Sequence, residues 1–477
     1  MTRAIGIAAL TALLLAGCAS VPHDPPQVAK VEAGTLGLDS GTAAIDSEWW
    51  TAFGDLQLDR LVGMGLSGSP TLESALARVR AAEAAVSVRR ADELPQVTVD
   101  GQTQLQRFSE NYIIPPPYGG STRWVSTVQA NLNWNLDLFG RQRAMVAQAR
   151  ASADAARLDA AAARLTIATS IAETYVGLAR AERLIQVADG FVTTRQQALR
   201  YVQSRIRNQL ASQFELRQAE TLLAEAEQAR TRAQAQRELL VHALAALVGR
   251  GADFYPQIAA PSLALDAPPT VPDVLPADLL GRRPDLLAGQ ARIDAAAAGR
   301  QVARTDFLPN VSITALAGIA ALGLGNAVDS GSRTYGAGPA IHLPIFEGGK
   351  LKAQYRGATA DLDTAVASYN GAVVGAVREA ADAVTQVRSA DQDLADQRRV
   401  LTGLRETARL DQVRVSTGLG SHLDAIESGF RLLEAEQALV GLQADALTRR
   451  IQLIAALGGG FDPNRPLAAA PASDKHS

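Results

Sequence analysis

Residues 124–138 read WVSTVQANLNWNLDL, and the alternation in that stretch decides what kind of fold the chain adopts. Trp124, Ser126, Val128, Ala130, Leu132, Trp134, Leu136 and Leu138 fall on one side of an extended strand. Val125, Thr127, Gln129, Asn131, Asn133, Asn135 and Asp137 fall on the other. Side chains of a strand alternate between its faces, so one face is mostly apolar and the other mostly amide. Val97–Gln106 alternates likewise, with Val97, Val99 and Leu105 facing away from Gln96, Gln102, Gln104 and Gln106. Such strands suit a wall between lipid and water. The competing reading is a half-buried sheet in a soluble domain, but faces this rich in Asn and Gln fit a wet lumen better.

Further along, the same pattern returns. Val311–Ala320 and Tyr335–Phe346 form a second strand pair, with Ile341, Leu343 and Ile345 on one side. The segments joining the strands of each pair, Phe108–Arg123 and Ala321–Thr334, are rich in Pro, Gly and Ser and read as exposed hairpin ends. The strands belong to a larger repeat. A helical stretch from Pro70 to Leu94-Pro95 is matched at an offset of 214 by one from Pro284 to Leu308-Pro309. Phe139-Gly140-Arg141 matches Phe346 and Gly349-Lys350. An offset of 209 then pairs Arg205 with Arg414, Leu210 with Leu419, Ser212 with Ser421, Glu215 with Asp424 and Gly249 with Gly458. A period this long lies far above that of solenoids or propellers and marks a duplicated half-domain.

Each copy reads as helix, strand, loop, strand, long helix, turn, helix. No Pro interrupts Gly140 to Asn208, a rod of roughly 100 Å at helical rise. Within it Ile167, Ile171, Thr174, Leu178, Ala181, Ile185 and Ala188 step by 4 and 3, the seam of a coiled coil. Leu222, Ala226, Ala229, Ala233, Gln236, Leu240, Ala243 and Leu247 continue the stepping after the turn. The two shorter helices of a copy, placed end to end, match the long one in length.

Charge and composition exclude several functions. Lys+Arg 46 against Asp+Glu 49 gives a net charge of -3, which offers no electrostatic case for nucleic acid. Aromatic residues make up only 5%, so burial rests on Ala, Leu and Val. The 5 histidines are scattered, and no HExxH, GxSxG or Walker motif is present. Gly63-Met64-Gly65-Leu66-Ser67-Gly68 spells GxGxxG but follows helix-like Leu58–Val62 instead of a strand, so it reads as a turn, not a dinucleotide site. Neither an active site nor a cofactor is expected.

The single cysteine, Cys18, excludes disulfides and thiolate metal clusters within the chain. It follows a basic Thr2-Arg3, a short apolar run Ala4–Ala16 and Leu15-Ala16-Gly17, which reads as a secretory signal. That run is too short to span a membrane as a helix, and no later stretch is longer, so any span is made of strands. The signal resembles that of bacterial lipoproteins, in which such a cysteine is acylated and becomes the first residue. Ala19 rather than Asp in the next position implies outer-membrane sorting within that class.

Two hairpin turns fit the S-x-x-[DE] capping box: Ser212 with Glu215, and Ser421 with Asp424. Caps require these residue types whatever the function. Glu427 lies outside the box and is left without that explanation.

A family resemblance rests on Glu48-Trp49-Trp50-Thr51-Ala52-Phe53, Leu58-Asp59-Arg60-Leu61-Val62, Arg282-Arg283-Pro284-Asp285-Leu286, Leu308-Pro309, Pro344-Ile345-Phe346 and Gly418–Glu427. Together these resemble the signature stretches of TolC-like outer-membrane efflux ducts, in their lipoprotein branch. The resemblance implies a mainly α fold with a membrane β-barrel. The barrel would be trimeric and 12-stranded, with 4 strands per chain, continued by a long α-helical barrel and internally duplicated. It implies a homotrimer in the outer membrane of a Gram-negative bacterium, served by a periplasmic adaptor and an inner-membrane pump, of the RND type, with outer-membrane lipid around it. It places periplasmic constriction residues on Leu423, Asp424 and Glu427, to which Phe214, Glu215 and Gln218 correspond in the first copy. The expected organisation is signal peptide 1–17, lipid anchor and tether 18–47, first repeat 48–260, second repeat 261–460 and tail 461–477. A lipid-anchored periplasmic adaptor and a structural coiled coil remain as alternatives, but neither accounts for two amphipathic strand pairs.

Overall fold

The computed structural model describes residues 21–22, 24–32, 45–111, 113–266, 279–323, 325–326 and 328–462. Cys18 and the residues past Asp462 lie outside them, as does most of the expected tether. A 3-10 turn at Trp49–Phe53 leads into α1 (Leu56–Gly68) and α2 (Pro70–Ala91). Strands β1 (Gln96–Arg107) and β2 (Thr122–Asn135), then helices α3 (Arg141–Arg207) and α4 (Gln213–Leu247), complete the first series. The one-turn α5 (Leu279–Arg282) precedes α6 (Pro284–Thr305), β3 (Asn310–Leu322), β4 (Arg333–His342), α7 (Lys350–Ser416) and α8 (His422–Ala456). The duplication is close: α3 and α7 each have 67 residues, α4 and α8 each have 35, and α2 and α6 each have 22.

Compact packing cuts across this repeat. The described residues within 1–30, 78–156 and 289–369 make one unit, and those within 31–77, 157–288 and 370–477 the other. The first holds the sheet, which is antiparallel in the order β1-β2-β3-β4. Its register places Val99, Ala130, Ala317 and Tyr335 in one row across the sheet, and Val97, Leu132, Ala315 and Ala337 in another. Asp100, Gln129, Gly318 and Thr334 line up on the opposite face. Amide ladders run along that face: Gln102 donates to Gln104 at 3.0 Å, Gln104 to Gln106 at 3.1 Å, and Asn131 to Asp100 at 2.7 Å. Gly318 is required where it stands, since a Cβ there would lie 2.2 Å from the Val128 carbonyl oxygen.

Two strands end earlier than their alternation suggests. β2 stops at Asn135 because Asp137 turns with φ 46 and caps α3, its carboxylate accepting from the Gln142 and Arg143 amides at 2.8 and 3.1 Å. Leu136 and Leu138 therefore leave the strand, although the Leu136 amide still donates to Val311 at 3.0 Å. β4 stops at His342, so Leu343 and Ile345 are not strand residues, and Pro344 has no N–H to continue a ladder.

In the second unit four helices lie side by side in the order α4, α3, α8, α7. Arg237 of α4 pairs with Glu182 of α3 at 2.8 Å, Arg180 of α3 with Asp445 of α8 at 3.4 Å, and Arg450 of α8 with Asp391 of α7 at 2.6 Å. The α3 seam is inward as expected, with Ile167, Ile171, Leu178, Ala181 and Ala188 buried. The expected seam on α4 is inward only in part, with Leu240 and Leu247 packed on the core and Leu222, Ala226 and Ala233 half-buried. Its buried residues are Ala219, Val241, Leu244 and Ala245, while Ala229, Gln236 and Ala243 are exposed. Only one flank of α4 meets α3, so the packed face is set by that neighbour and not by a second partner across the heptad.

Each short helix pair meets end to end at a glycine. Gly249, past α4, has φ +73, and a Cβ there would lie 2.4 Å from the Gly68 oxygen just before α2. Gly458, past α8, has φ +93 and sits equally close to the Arg282 oxygen just before α6. In the first copy Asp55, only 2% exposed, caps α1 and ties its start to α3 and to the segment after α4. Its carboxylate accepts from the Tyr175 hydroxyl at 2.8 Å, from the Ser262 amide at 2.9 Å and from the Gln57 amide at 2.8 Å. Burial alone would push the Asp55 carboxyl up, but these hydrogen bonds outweigh it and hold it below the usual carboxylate range. In the second copy Arg283, within Arg-Arg-Pro-Asp-Leu, grips Asp285 through two nitrogens and reaches Glu379 at 2.7 Å and the Ala456 carbonyl at 3.0 Å. One side chain thus ties the start of α6 to α7 and to the end of α8.

Asp55→Ala strands the buried Tyr175 hydroxyl and should cost about 1–3 kcal/mol near neutral pH. Because the folded pKa lies below the unfolded one, the carboxylate's contribution is complete above about pH 4 and fades as pH falls through the folded value. Thermal unfolding of the wild type and the variant at neutral and acid pH should show the gap between them narrowing in acid. A gap independent of pH contradicts this assignment.

Candidate functional site

The residues singled out at the hairpin ends lie in the second unit, at the turns α3–α4 and α7–α8. The first turn is latched. Gln209 takes φ 58 and the Leu210 amide donates back to Arg205 at 2.8 Å, closing α3. The Ser212 amide donates to the Glu215 carboxylate at 2.7 Å, and the Glu215 amide donates to the Ser212 hydroxyl at 3.4 Å, a complete capping box. Arg205 bridges the turn, donating to Glu215 at 3.2 Å and to the Leu210 carbonyl at 2.8 Å. The Ser212 amide above all, then Arg205, holds the Glu215 carboxyl below its ordinary value.

The second turn repeats the backbone but not the latch. Gly418 takes φ 74, and the Leu419 amide donates to Arg414 at 2.8 Å. Ser421 caps α8 through the Leu423 amide at 3.1 Å, but no box closes with Asp424. The reason is one methylene: an aspartate at this helical position is shorter than the glutamate of the first turn. Arg414, the counterpart of Arg205, pairs instead with Asp411 on its own helix at 3.6 Å. Asp424 is exposed and has no hydrogen bond or ion pair among the described residues.

Around these turns the chain exposes apolar side chains at Leu210, Phe214, Leu419 and Leu423, with Phe214 76% exposed. Gln218, one turn past Phe214, is also exposed. Glu427 lies one turn past Asp424 and pairs with Arg431 at 3.5 Å. Beneath them α8 packs on α3: the rings of Phe191 and Phe430 stack with centroids 6.1 Å apart, and the Arg195 guanidinium sits 3.3 Å from the Phe430 ring centroid. Burial draws Arg195 down, and the carboxylates of Glu427, Glu225 and Glu434 oppose it. Glu427 therefore faces cationic charge from two helices, whereas Asp424 faces none. Sequence reasoning missed the Arg205 bridge, although Arg205 and Arg414 stood out as matched positions of the repeat. Their roles diverge with the Glu-to-Asp difference opposite them.

Among the described residues no group of His, Cys, Asp and Glu is arranged to hold a metal, and no helix is long and apolar enough to cross a membrane. What remains is a sheet with one mostly apolar and one mostly polar face, open at both edges, in a chain of paired 67- and 35-residue helices whose hairpins end in acidic and apolar turns. These are the parts of a chain that lines a membrane duct. The outer membrane efflux protein family matches residues 61–250 and 275–459, and the chain belongs to it. It is an outer-membrane efflux channel protein. The chain is 33% identical to the fusaric acid resistance protein FusA of Burkholderia cepacia over 376 residues, 75% of this chain and 69% of that one. It is 28% identical to the probable efflux pump outer membrane protein TtgC of Pseudomonas putida, over 97% of this chain and 96% of that one. The outer membrane protein VceC of Vibrio cholerae superposes with a TM-score of 0.80 at 32% identity, covering 88% of this chain and 100% of that one. The CmeC outer membrane channel of Campylobacter jejuni shares the fold, with a TM-score of 0.82 at 21% identity over 94% and 96%.

Ser212→Ala and Ser421→Ala each remove the acceptor for an orphan helix amide and should cost about 1 kcal/mol. Asp424→Ala leaves both caps in place and should stay within about 0.5 kcal/mol of wild type. Chemical denaturation midpoints check this. A loss for Asp424→Ala equal to that for Ser421→Ala contradicts the unlatched geometry of the second turn.

Proposed function

We propose that three copies of the chain form a closed duct, with a twelve-stranded barrel in the outer membrane and a helical barrel in the periplasm, through which an adaptor and an inner-membrane pump of the RND type export solutes. The observation that carries this reading is the open sheet. β1 and β4 are its edges, and β1 is exposed along its whole length. Four strands fall short of the roughly eight a membrane barrel needs, whereas three chains supply twelve. The helical layer is likewise open at α7, where Val374, Val400, Leu410 and Val413 are exposed apolar side chains without a neighbour in this order. A second chain laid against both edges would cover them together. The name of TtgC, an efflux pump outer membrane protein, supports the pump partnership. A free coiled coil would leave the sheet without a role.

Anchoring at Cys18 fits the segment that follows it. Val21 packs against Ala303, Phe307 and Tyr355, just before β3 begins. From there the chain is pinned along α6 and α7: Arg300 donates to the Asp24 carbonyl at 2.9 Å, and the Gln27 amide to Asp363 at 2.8 Å. Three residues reach at most about 10 Å, so an acyl group on Cys18 would enter the bilayer beside the base of the sheet. The gate belongs to the second hairpin. Leu423, Asp424 and Glu427 of three chains would bring one apolar ring and six carboxylates towards a common axis, favouring partial protonation or cation binding. The latched first turn, with Phe214, Glu215 and Gln218, would be the stationary partner.

Cysteines at Thr98 on β1 and Ala340 on β4, both on the wet face, test the assembly in a Cys18→Ala background. A short bis-maleimide should yield covalent dimers and trimers on denaturing gels, and a product that is only monomer contradicts the barrel. For the gate, Asp424→Ala with Glu427→Ala should raise single-channel conductance in planar bilayers and weaken block by multivalent cations. Unchanged conductance and block would reduce both residues to solvated charges.

A further inference from the structure

The two open edges of the sheet match each other in hydrogen-bonding phase as well as in face. The Leu136 amide donates to Val311 at 3.0 Å and the Gly323 amide to Trp124 at 2.6 Å, so even residues of β2 and odd residues of β3 turn their backbone groups towards each other. The N–H and C=O of a strand residue point to one side, and that side alternates along the strand. Carried through the register, this leaves Val97, Val99, Gly101, Thr103, Leu105 and Arg107 of β1 facing one open edge. Arg333, Tyr335, Ala337, Pro339 and Ile341 of β4 face the other. Both sets place their side chains on the mostly apolar face. Because β4 runs antiparallel to β1, the two edges can join with bonding positions and faces in step. Pro339 suits its place, since the N–H it lacks would point out of the sheet and breaks no bond within the chain.

Closure decides which residues meet. Val99, Ala130, Ala317 and Tyr335 stand in one row across the chain's own sheet. If that row ran on to Val99 of the neighbouring copy the strands would lie along the barrel axis, and each residue of slip per chain tilts them further. Faces stay matched only when the slip is even. With a rise of about 3.4 Å and a strand spacing of about 4.8 Å, slips of two, four and six residues per chain tilt twelve strands by about 20°, 35° and 47°. Membrane barrels tilt by about 35–45°, which rejects two and leaves six just outside. A slip of six also sets Arg333 against Arg107 of the neighbouring copy, like charges directly opposite. A slip of four in the other direction leaves only Arg333 and Thr334 of β4 with partners in β1. The remaining slip of four sets Tyr335 opposite Thr103, and the whole of Arg333–His342 then falls within Gln96–Arg107. Gly336 and Gly338 come to face Gln102 and Asp100. A Cβ on either glycine would meet nothing within 4 Å in its own chain, so their bare backbone is room for the longer side chains of the neighbour.

We propose that β4 of one copy pairs with β1 of the next in this register, with Ala340 opposite Thr98 and Ile341 opposite Val97, closing a barrel whose shear equals its strand number. The inference rests on the trimeric barrel and adds to it the surface by which the copies recognise each other. It also fixes the bore through which cargo leaves, because twelve strands at this tilt enclose a backbone radius of about 11 Å.

Disulfide trapping in native outer membranes tests the register in a Cys18→Ala background. Ala340→Cys is combined in turn with Gln96→Cys, Thr98→Cys and Asp100→Cys, successive positions on the polar face of β1. These even positions form the non-hydrogen-bonded pairs of the seam, where Cβ atoms directly opposite lie about 4.5–5.5 Å apart and diagonal ones about 7 Å. A disulfide needs about 3.5–4.5 Å, so only the opposite pair closes readily. Mild oxidation should convert the Thr98 and Ala340 pair to reducible dimers and trimers on denaturing gels, with a yield at least tenfold above either other pair. A higher yield from the Asp100 or Gln96 pair overturns the register, as does the absence of a disulfide in all three. Bis-maleimide treatment of the same variants separates the two ways of failing. Covalent trimers there leave the barrel standing in another register, whereas monomer alone removes the barrel too.

Discussion

In a bilayer every backbone N–H and C=O must find a protein partner, and a sheet edge left open to hydrocarbon leaves a row of them unpaired. This constraint organises the chain. Strands β1 to β4 give a sheet that is polarised between its faces yet unfinished at its edges. The faces say where the sheet sits, and the edges say that it is a fraction of a barrel. The helices repeat the same logic, since α3 and α8 are packed on both flanks while α4 and α7 are packed on one. Sheet and helical layer are thus both incomplete in one chain.

Duplication supplies the symmetry, and small departures from it supply the function. The two copies place a positive-φ glycine at the same joint, Gly249 and Gly458, because only glycine allows the short helices to meet so closely. Their charged ties differ: a buried Asp55 at the start of α1 accepts from several donors in one copy, and Arg283 beside the Gly458 joint donates to several acceptors in the other. At the far turns the divergence is a single methylene. Glu215 reaches both its cap and Arg205, whereas Asp424 reaches neither its cap nor an arginine. A turn whose acid is committed to its own fold is stiff, and one whose acid is free can answer to a neighbour or an ion.

Periodicity made much of this legible in the sequence. The alternation of 124–134 predicts both faces of β2, and the register confirms them across all four strands. Strand ends were less legible, because Leu136, Leu138, Leu343 and Ile345 continue the apolar pattern past the points where Asp137 and Pro344 stop the ladder. The α4 seam held only in part for a related reason: heptad spacing is a property of one helix, but burial depends on which neighbours are present, and Ala229, Gln236 and Ala243 have none. The ties made by Asp55 and Arg283 join residues more than 90 positions apart, so no local pattern announces them.

The central claim is that a single sheet separates lipid from water. Cysteine substitutions taken one at a time from Val125 to Trp134, in a Cys18→Ala background and in native outer membranes, test it directly. Each labelled position is read twice, by a membrane-impermeant aqueous thiol reagent and by quenching from a lipid-borne spin label. The account predicts a period of two, with Val128, Ala130 and Leu132 quenched by lipid and Gln129, Asn131 and Asn133 open to the aqueous reagent. Equal labelling of neighbouring positions, or lipid contact on the amide face, would contradict it.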